Sequence, residues 1–238
     1  MKVDILAIAA HPDDIEISAA GTLMKHIDAG KKAAVLDLTE GELGSRGSKE
    51  IRYTESEAAS KLMGITQRVN LQMPDGFFMM SKENKLKIIE QLRFFRPDVV
   101  LVNAPSDRHP DHGRASELAR EACFLSGLRK IETSLAGQLQ ETWRPKAVYC
   151  YVQDRYHEPD FVVDISDYVE RKIAVLSTYK SQFFDPDSSE PETPISGENF
   201  FNFLKGRWAG YGRAIGVDYG EGFLVERPLG IKDITELF

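Results

Sequence analysis

The chain has 238 residues, 42% of them hydrophobic, with 37 acidic against 30 basic side chains and a formal net charge of −7. This length and apolar content suit one α/β domain with a substantial core, while the acidic balance and the lack of a Lys/Arg-rich stretch disfavour a binder of phosphate backbones. Two cysteines, Cys123 and Cys150, are too few for a disulfide framework and read as buried small apolar residues in a reducing compartment. Residues 3–9 are a continuous apolar run, the mark of a strand buried on both faces. Residues 15–29 follow with a helical period, closed by Gly30 where a left-handed residue is least strained. Residues 32–38 repeat the strand signal, and residues 39–48 are a glycine-containing loop. A helix over 50–63 stops at Gly64. A short strand over 68–71, a loop over 73–80 and a helix over 82–95, ended by Arg96-Pro97, come next. Residues 98–103 form the fourth principal strand.

The later part is less regular. Residues 114–125 read as helix, 147–152 and 161–164 as strands, and 167–179 as helix. Residues 183–196 are rich in Asp, Pro, Ser and Glu, a loop longer than such connections usually are unless functional or disordered. Residues 197–214 carry Phe200, Phe201, Phe203, Leu204, Trp208 and Tyr211, which predicts a helix packed on the core or on a subunit neighbour, with a sugar-stacking platform as the less favoured reading. The pattern throughout is a mainly parallel sheet flanked by helices, without repeat or linker, so residues 1–238 are expected to form a single domain.

Two short clusters carry the chemistry. Ala10-His11-Pro12-Asp13-Asp14 follows the first strand, and Arg108-His109-Pro110-Asp111-His112 follows the fourth, which places both at carboxyl ends of strands, where open α/β sheets put their sites. Alone, either could be an ordinary helix start with first-turn acids. Together they hold three of the five histidines, and His11, Asp14 and His112 make the three-ligand set of a catalytic zinc with a position left for water. Asp13, beside that set, is placed as general base. His109 is expected to face the substrate as an imidazolium that stabilises an oxyanion, with Asp111 hydrogen-bonded to its ring and raising its pKa. His26 reads as structural and His157 as a loop residue.

The chain resembles the PIG-L or LmbE-like family of zinc-dependent N-acetylglucosamine deacetylases, and within it the branch that deacetylates N-acetylglucosaminyl-malate in bacillithiol biosynthesis. The two clusters carry the resemblance, with Asp37-Leu38-Thr39-Glu40-Gly41-Glu42, Asn70-Leu71-Gln72-Met73-Pro74-Asp75, Tyr179-Lys180-Ser181-Gln182-Phe183 and Tyr219-Gly220-Glu221-Gly222-Phe223 in the same order. It implies a Rossmann-like fold, zinc on His11, Asp14 and His112, Asp13 as base, His109 as oxyanion partner, and Arg52 near the substrate. The competing reading of Arg52 is a solvated helix charge paired with Glu55. Some relatives carry a tyrosine shortly after the late Thr-Pro; here Thr193-Pro194 leads to Gly197-Glu198-Asn199-Phe200, without a phenol.

The expected partner is therefore a small N-acetylated sugar conjugate whose malate carboxylates Arg52 and Arg108 would meet, with other N-acetylglucosamine conjugates or a non-catalytic metal-binding relative as alternatives. No nucleic acid or membrane is expected as a partner, and a homo-oligomer is. Lacking an apolar run of about 20 residues or a signal-peptide pattern, the protein is expected in the cytoplasm. The first strand lacks a following G-x-G-x-x-G, which disfavours a dinucleotide site, and magnesium seldom prefers imidazoles over oxygen donors. Protons should compete with the metal below about pH 6. Loss of the His109 proton should limit activity at alkaline pH.

Overall fold

The computed structural model describes residues 1–231 and 233–236. In chain order its elements are β1 (Ile5–Ala9), α1 (Asp14–Ser18), α2 (Ala20–Asp28), β2 (Ala33–Thr39), α3 (Lys49–Met63), β3 (Gln67–Met73), α4 (Lys82–Phe95), β4 (Val99–Asn103) and α5 (Pro110–Leu125). A small antiparallel hairpin, β5 (Ser134–Leu135) and β6 (Gln138–Leu139), precedes β7 (Ala147–Tyr151), β8 (Phe161–Asp164), α6 (Val169–Leu176), α7 (Phe200–Ala214) and β9 (Gly220–Val225).

Seven strands form one sheet in the order β3-β2-β1-β4-β7-β9-β8. The first five are parallel, with Ile5 opposite both Ala33 and Val99, and β9 enters antiparallel between β7 and β8. Every residue of β1 and β2 is buried, as continuous apolar runs require when helices cover both faces. On one face Leu6, Ile8, Leu36 and Val100 pack with Ile88, Leu92 and Phe95 of α4 and Leu118 of α5. On the other, Ile5, Ala7 and Leu101 meet Ile15 and Leu23, and Ile17, Met24, Leu176, Leu204 and Trp208 continue that layer. The chain runs outward from β1 through β2 to β3, then returns to β4 on the opposite side of β1. That reversal opens a crevice at the carboxyl ends of β1 and β4, where such sheets bind ligands.

Helix ends follow their local signals. The Ser48 and Ser81 side chains accept amide protons at the starts of α3 and α4, and Gly64 closes α3 at φ 79°. One expectation is corrected. Residues 15–29 are two helices, broken at Ala19 (φ −136°, ψ 7°). The cause lies far away in sequence: the Glu221 carboxylate on β9 accepts from Gly21 N (3.0 Å) and Thr22 N (2.7 Å), starting a second helix there. A Cβ on Gly21 would come within 2.8 Å of Ile165 Cγ2, so this approach requires glycine. β9 itself and the β5–β6 hairpin were not expected from sequence. In α7, Leu204, Trp208 and Tyr211 are buried, as the core reading anticipated, while Phe203 is half exposed. Cys123 and Cys150 are both free and buried. No helix among the described residues is long and apolar enough to cross a membrane.

Candidate metal centre and active site

The first cluster is a strand-to-helix turn held at several points. Asn103 Oδ1 at the end of β4 accepts from Ala10 N (3.0 Å), the Thr39 hydroxyl donates to Ala10 O (2.9 Å), and Asp14 Oδ2 accepts from His11 N (3.0 Å). Asp13 sits in this turn at φ 114°, a conformation a non-glycine residue rarely adopts. The second cluster starts α5, with Pro110 in the first turn and His109 as N-cap. His109 Nδ1 accepts the Asp111 amide proton (3.3 Å), so the neutral ring carries its proton on Nε2.

The crevice brings the two turns together. Asp14 Oδ1 lies 3.2 Å from His112 Nε2, and Asp14 Oδ2 lies 3.8 Å from His11 Nδ1. The other nitrogen of each ring is held by a carboxylate: His112 Nδ1 by Asp107 (2.7 Å), His11 Nε2 by Asp75 (3.0 Å) and Asp111 (3.4 Å). Gln153 Nε2 donates to Asp14 Oδ1 (2.7 Å) and Asn103 Nδ2 to Asp14 Oδ2 (3.1 Å). This donor set fits a zinc-like ion. Two imidazoles and a carboxylate are donors such an ion takes, and carboxylates anchor the outer ring nitrogens; Asp14 meets the two rings with different oxygens, at 3.2 and 3.8 Å. The imidazole of His109 also approaches, since ring nitrogens of His11, His109 and His112 lie within 4.8 Å of one another.

Charge follows the geometry. Burial alone would lower the histidine values, but Asp111, Asp75 and Asp14 raise His11 to about 9, and Asp14 and Asp107 raise His112 to about 10. Burial opposes ionisation of Asp14, yet His112 and His11 hold its carboxyl well below the usual range. Without a metal, the cluster gathers positive charge as protons. Burial pushes Asp13 up to about 7, against the nearby Arg52 guanidinium. Arg52 Nη2 donates to Asp13 Oδ2 (3.0 Å) and Pro12 O (2.5 Å), and Nη1 donates to Gly41 O (3.1 Å).

These side chains floor a cleft of about 240 Å³. His11, Asp13, Asp14, His109 and His112 line it together with the apolar Ile17, Ile195, Phe200, Phe203 and Leu204.

A family model described as PIG-L, GlcNAc-PI de-N-acetylase, matches residues 6–123. Diacetylchitobiose deacetylase of Thermococcus kodakarensis is 30% identical over 189 residues, 75% of this chain and 70% of that protein. The chain belongs to the PIG-L family. A solved structure of a conserved protein from Thermus thermophilus is 35% identical, covers 98% of both chains and superposes with a TM-score of 0.86. A probable N-acetyl-α-D-glucosaminyl L-malate deacetylase 2 of Bacillus anthracis is 24% identical over 197 residues, 75% of this chain and 81% of that protein.

Within this PIG-L protein, three sequence expectations change. Asp111 does not hold the His109 ring. Its own amide occupies His109 Nδ1, while its carboxylate turns to His11, to Gly76 N (2.7 Å) and to Arg114 Nη1 (2.6 Å). His109 is accordingly held below its ordinary value, by burial and by the neighbouring His11 and His112 charges. Arg52 is neither solvated nor paired with Glu55. It is 5% exposed and faces Asp13, while Glu55 takes Ser181 N (2.8 Å) and Oγ (2.6 Å). Finally, with His11 and His112 raised, proton competition with a metal reaches far above pH 6.

Arg108 lines the cleft at its rim and pairs with Asp154 (2.5 Å). His26 binds its own helix at Thr22 O (2.8 Å), and His157 binds Ser106 O (2.7 Å). Sequence reasoning gave no role to Asp75, Asp107, Asn103 or Gln153. Asp75, Asn103 and Gln153 follow or end strands whose carboxyl ends meet the crevice, which is the signal that would have singled them out.

Proposed function

We propose that this PIG-L protein is a zinc-dependent N-deacetylase acting on an N-acetylglucosamine conjugate, with the whole chain serving as one deacetylase domain. The observation that carries this reading is the convergence of His11, Asp14 and His112 beside a buried carboxyl, Asp13, whose pKa stands near 7. His11 Nδ1, His112 Nε2 and an Asp14 oxygen would hold the ion. Zinc held there would supply Lewis acidity to the acetamide carbonyl and to an attacking water.

The chain's own residues then move the protons. Asp13, about half ionised at neutral pH and kept in place by Arg52, takes in its ionised form a proton from the water as the water oxygen bonds to the carbonyl carbon. His109 donates from Nε2 to the carbonyl oxygen as that atom gains negative charge. It acts as a neutral donor, so loss of an imidazolium proton is not what limits activity at high pH. Asp13 returns its proton to the nitrogen, the C–N bond breaks, and acetate and the amino sugar leave. Asp111 is a positioning residue, acting with Asp75 to aim His11.

The cleft, at about 240 Å³ just below the range of small-molecule sites at roughly 300–1,000 Å³, suits a single sugar head whose aglycone reaches the mouth. We take the aglycone to be malate, so that the product is glucosaminyl-malate for bacillithiol synthesis in the cytoplasm. Arg108 at the rim pairs with Asp154 through Nε alone and keeps its two Nη groups for the carboxylates, whereas both Nη groups of Arg52 are engaged at Asp13, Pro12 and Gly41. A second reading, a chitobiose-type disaccharide, is favoured by the 30% identity to the Thermococcus deacetylase. Amine release from N-acetylglucosaminyl-malate, diacetylchitobiose and N-acetylglucosamine decides between them. The malate reading expects the first to be fastest and Arg108→Ala to erase its advantage. A faster disaccharide overturns it, and no amine release from any of the three overturns the deacetylase assignment.

A further inference from the structure

Gln182 lies between the α6 segment and the cleft and is not explained by the metal centre. It is 7% exposed, and the open space it borders is the cleft. Its amide orientation is fixed by its partners. Nε2 donates to the backbone carbonyl of Arg46 (3.0 Å), which can only accept, and to Ser181 Oγ (2.9 Å). The Ser181 hydroxyl proton is in turn directed to Glu55 Oε2 (2.6 Å), leaving its oxygen free to accept. Both amide protons of Gln182 are therefore used within the protein. Oε1 accepts nothing from the described residues and is not among the side-chain atoms sealed from solvent without a partner.

Most other oxygen acceptors on this floor are already engaged. Asp14 accepts from Gln153, Asn103 and His11 N, Asp75 from His11 and Leu43 N, and Asp154 from Arg108. Gln182 offers a neutral carbonyl with its direction locked by two hydrogen bonds, which is what recognition of a hydroxyl requires. A locked acceptor loses little freedom on binding, and an analogue lacking the hydroxyl leaves it unpaired. The segment is rigidly placed: Ser181 is clamped by Glu55, and a Cβ on Gly47 would come within 2.8 Å of Ser181 Cβ.

We propose that Gln182 Oε1 accepts a hydrogen bond from a ring hydroxyl of the sugar head and so determines which N-acetylated hexosides are deacetylated. The inference rests on the deacetylase reading. Its test is a panel of 3-deoxy, 4-deoxy and 6-deoxy N-acetylglucosamine conjugates, assayed by amine release with the zinc-loaded wild type, Gln182→Leu and Gln182→Glu. The wild type should lose about tenfold in kcat/KM on one deoxy analogue, the size of one neutral hydrogen bond. Gln182→Leu should treat that analogue and the parent sugar alike. Gln182→Glu, which keeps an acceptor oxygen, should continue to distinguish them, and this second variant keeps the test open should the first fold poorly. If Gln182→Leu loses the same factor on every sugar and still discriminates as the wild type does, Gln182 only ties down the Arg46 loop and the inference is overturned. If the wild type turns over none of the sugars, the deacetylase reading itself fails, an outcome separate from the loss of discrimination.

Discussion

Two buried charge clusters lie on either side of the carboxyl end of β1, and they solve the same problem differently. In the arginine-centred cluster, Arg68 grips Asp37 through two hydrogen bonds (2.6 and 2.9 Å) and Glu16 through a third (2.6 Å), and the Tyr179 hydroxyl donates to Glu16 (2.9 Å). The chain supplies the cation there. In the cleft cluster, Asp14, Asp75, Asp107 and Asp111 converge on two imidazoles, and among the described residues only Asp111 also pairs with a guanidinium, that of Arg114. The result is His11 and His112 raised to about 9 and about 10. Carboxylates with a covalently attached cation hold structure. Carboxylates that meet chiefly imidazoles have the donor chemistry to take a cation from solution, as the proposed function requires.

The comparison breaks most visibly at Asp13. Asp13→Asn should lower turnover by roughly 10²–10⁴-fold, the usual span for a general base, with zinc content by elemental analysis unchanged. Full activity in that variant removes Asp13 from its role. The counterpart in the arginine-centred cluster is Arg68→Met, which leaves Asp37 and Glu16 without their cation. It should cost about 3–5 kcal/mol in denaturant unfolding while the folded fraction still binds zinc, and a neutral effect would show that this cluster is not what we describe.

The histidines sharpen the contrast. His109→Ala should keep its zinc and lose roughly 10²–10³-fold in turnover, the cost of one oxyanion donor. If elemental analysis finds that variant stripped of metal, the three-imidazole set of His11, His109 and His112 replaces the set containing Asp14. Asp107→Asn replaces the charged partner of the outer nitrogen of His112 with a neutral one and should weaken zinc binding about 10–100-fold in a competition titration; unchanged affinity would make Asp107 a bystander.

A further effect is on stability against pH. In the metal-free protein, His11 and His112 titrate above the unfolded value of 6.5. Their stabilisation is thus complete below about pH 6.5 and is lost as pH rises through 9 to 10. Melting temperatures of chelated protein should fall between pH 8 and 10 by more than those of zinc-loaded protein, in which the rings are already neutral. Parallel pH profiles for the two forms would contradict the raised values.

Much of the fold could be read locally. The predicted helix over 82–95 coincides with α4, because Ser81 caps one end and Arg96-Pro97 ends the other within a few residues. The strands that carry the two clusters are uninterrupted apolar runs. What escaped depends on contacts distant in sequence. The break at Ala19 is set by Glu221, and β9, interrupted by Gly220 and Gly222, is a strand because β7 and β8 flank it. In the site, spacing sufficed to bring His11, Asp14 and His112 together, since each follows a strand end. The direction of a side chain did not follow from spacing. Asp111 is two residues from His109 yet turns to His11, because a residue in the first turn of a helix gives its amide, and not its carboxylate, to the N-cap.

The most direct test of the account is a zinc titration of chelated wild-type protein and of His112→Ala, following bound metal and amine release from an N-acetylglucosamine conjugate together. Wild-type turnover should be near zero without metal and rise in step with bound zinc to a plateau at about one ion per chain, while His112→Ala stays without metal and without turnover. Full activity in the chelated wild type, or a His112→Ala protein that binds zinc and turns over like the wild type, would contradict the claim that this cluster is built to hold a catalytic cation.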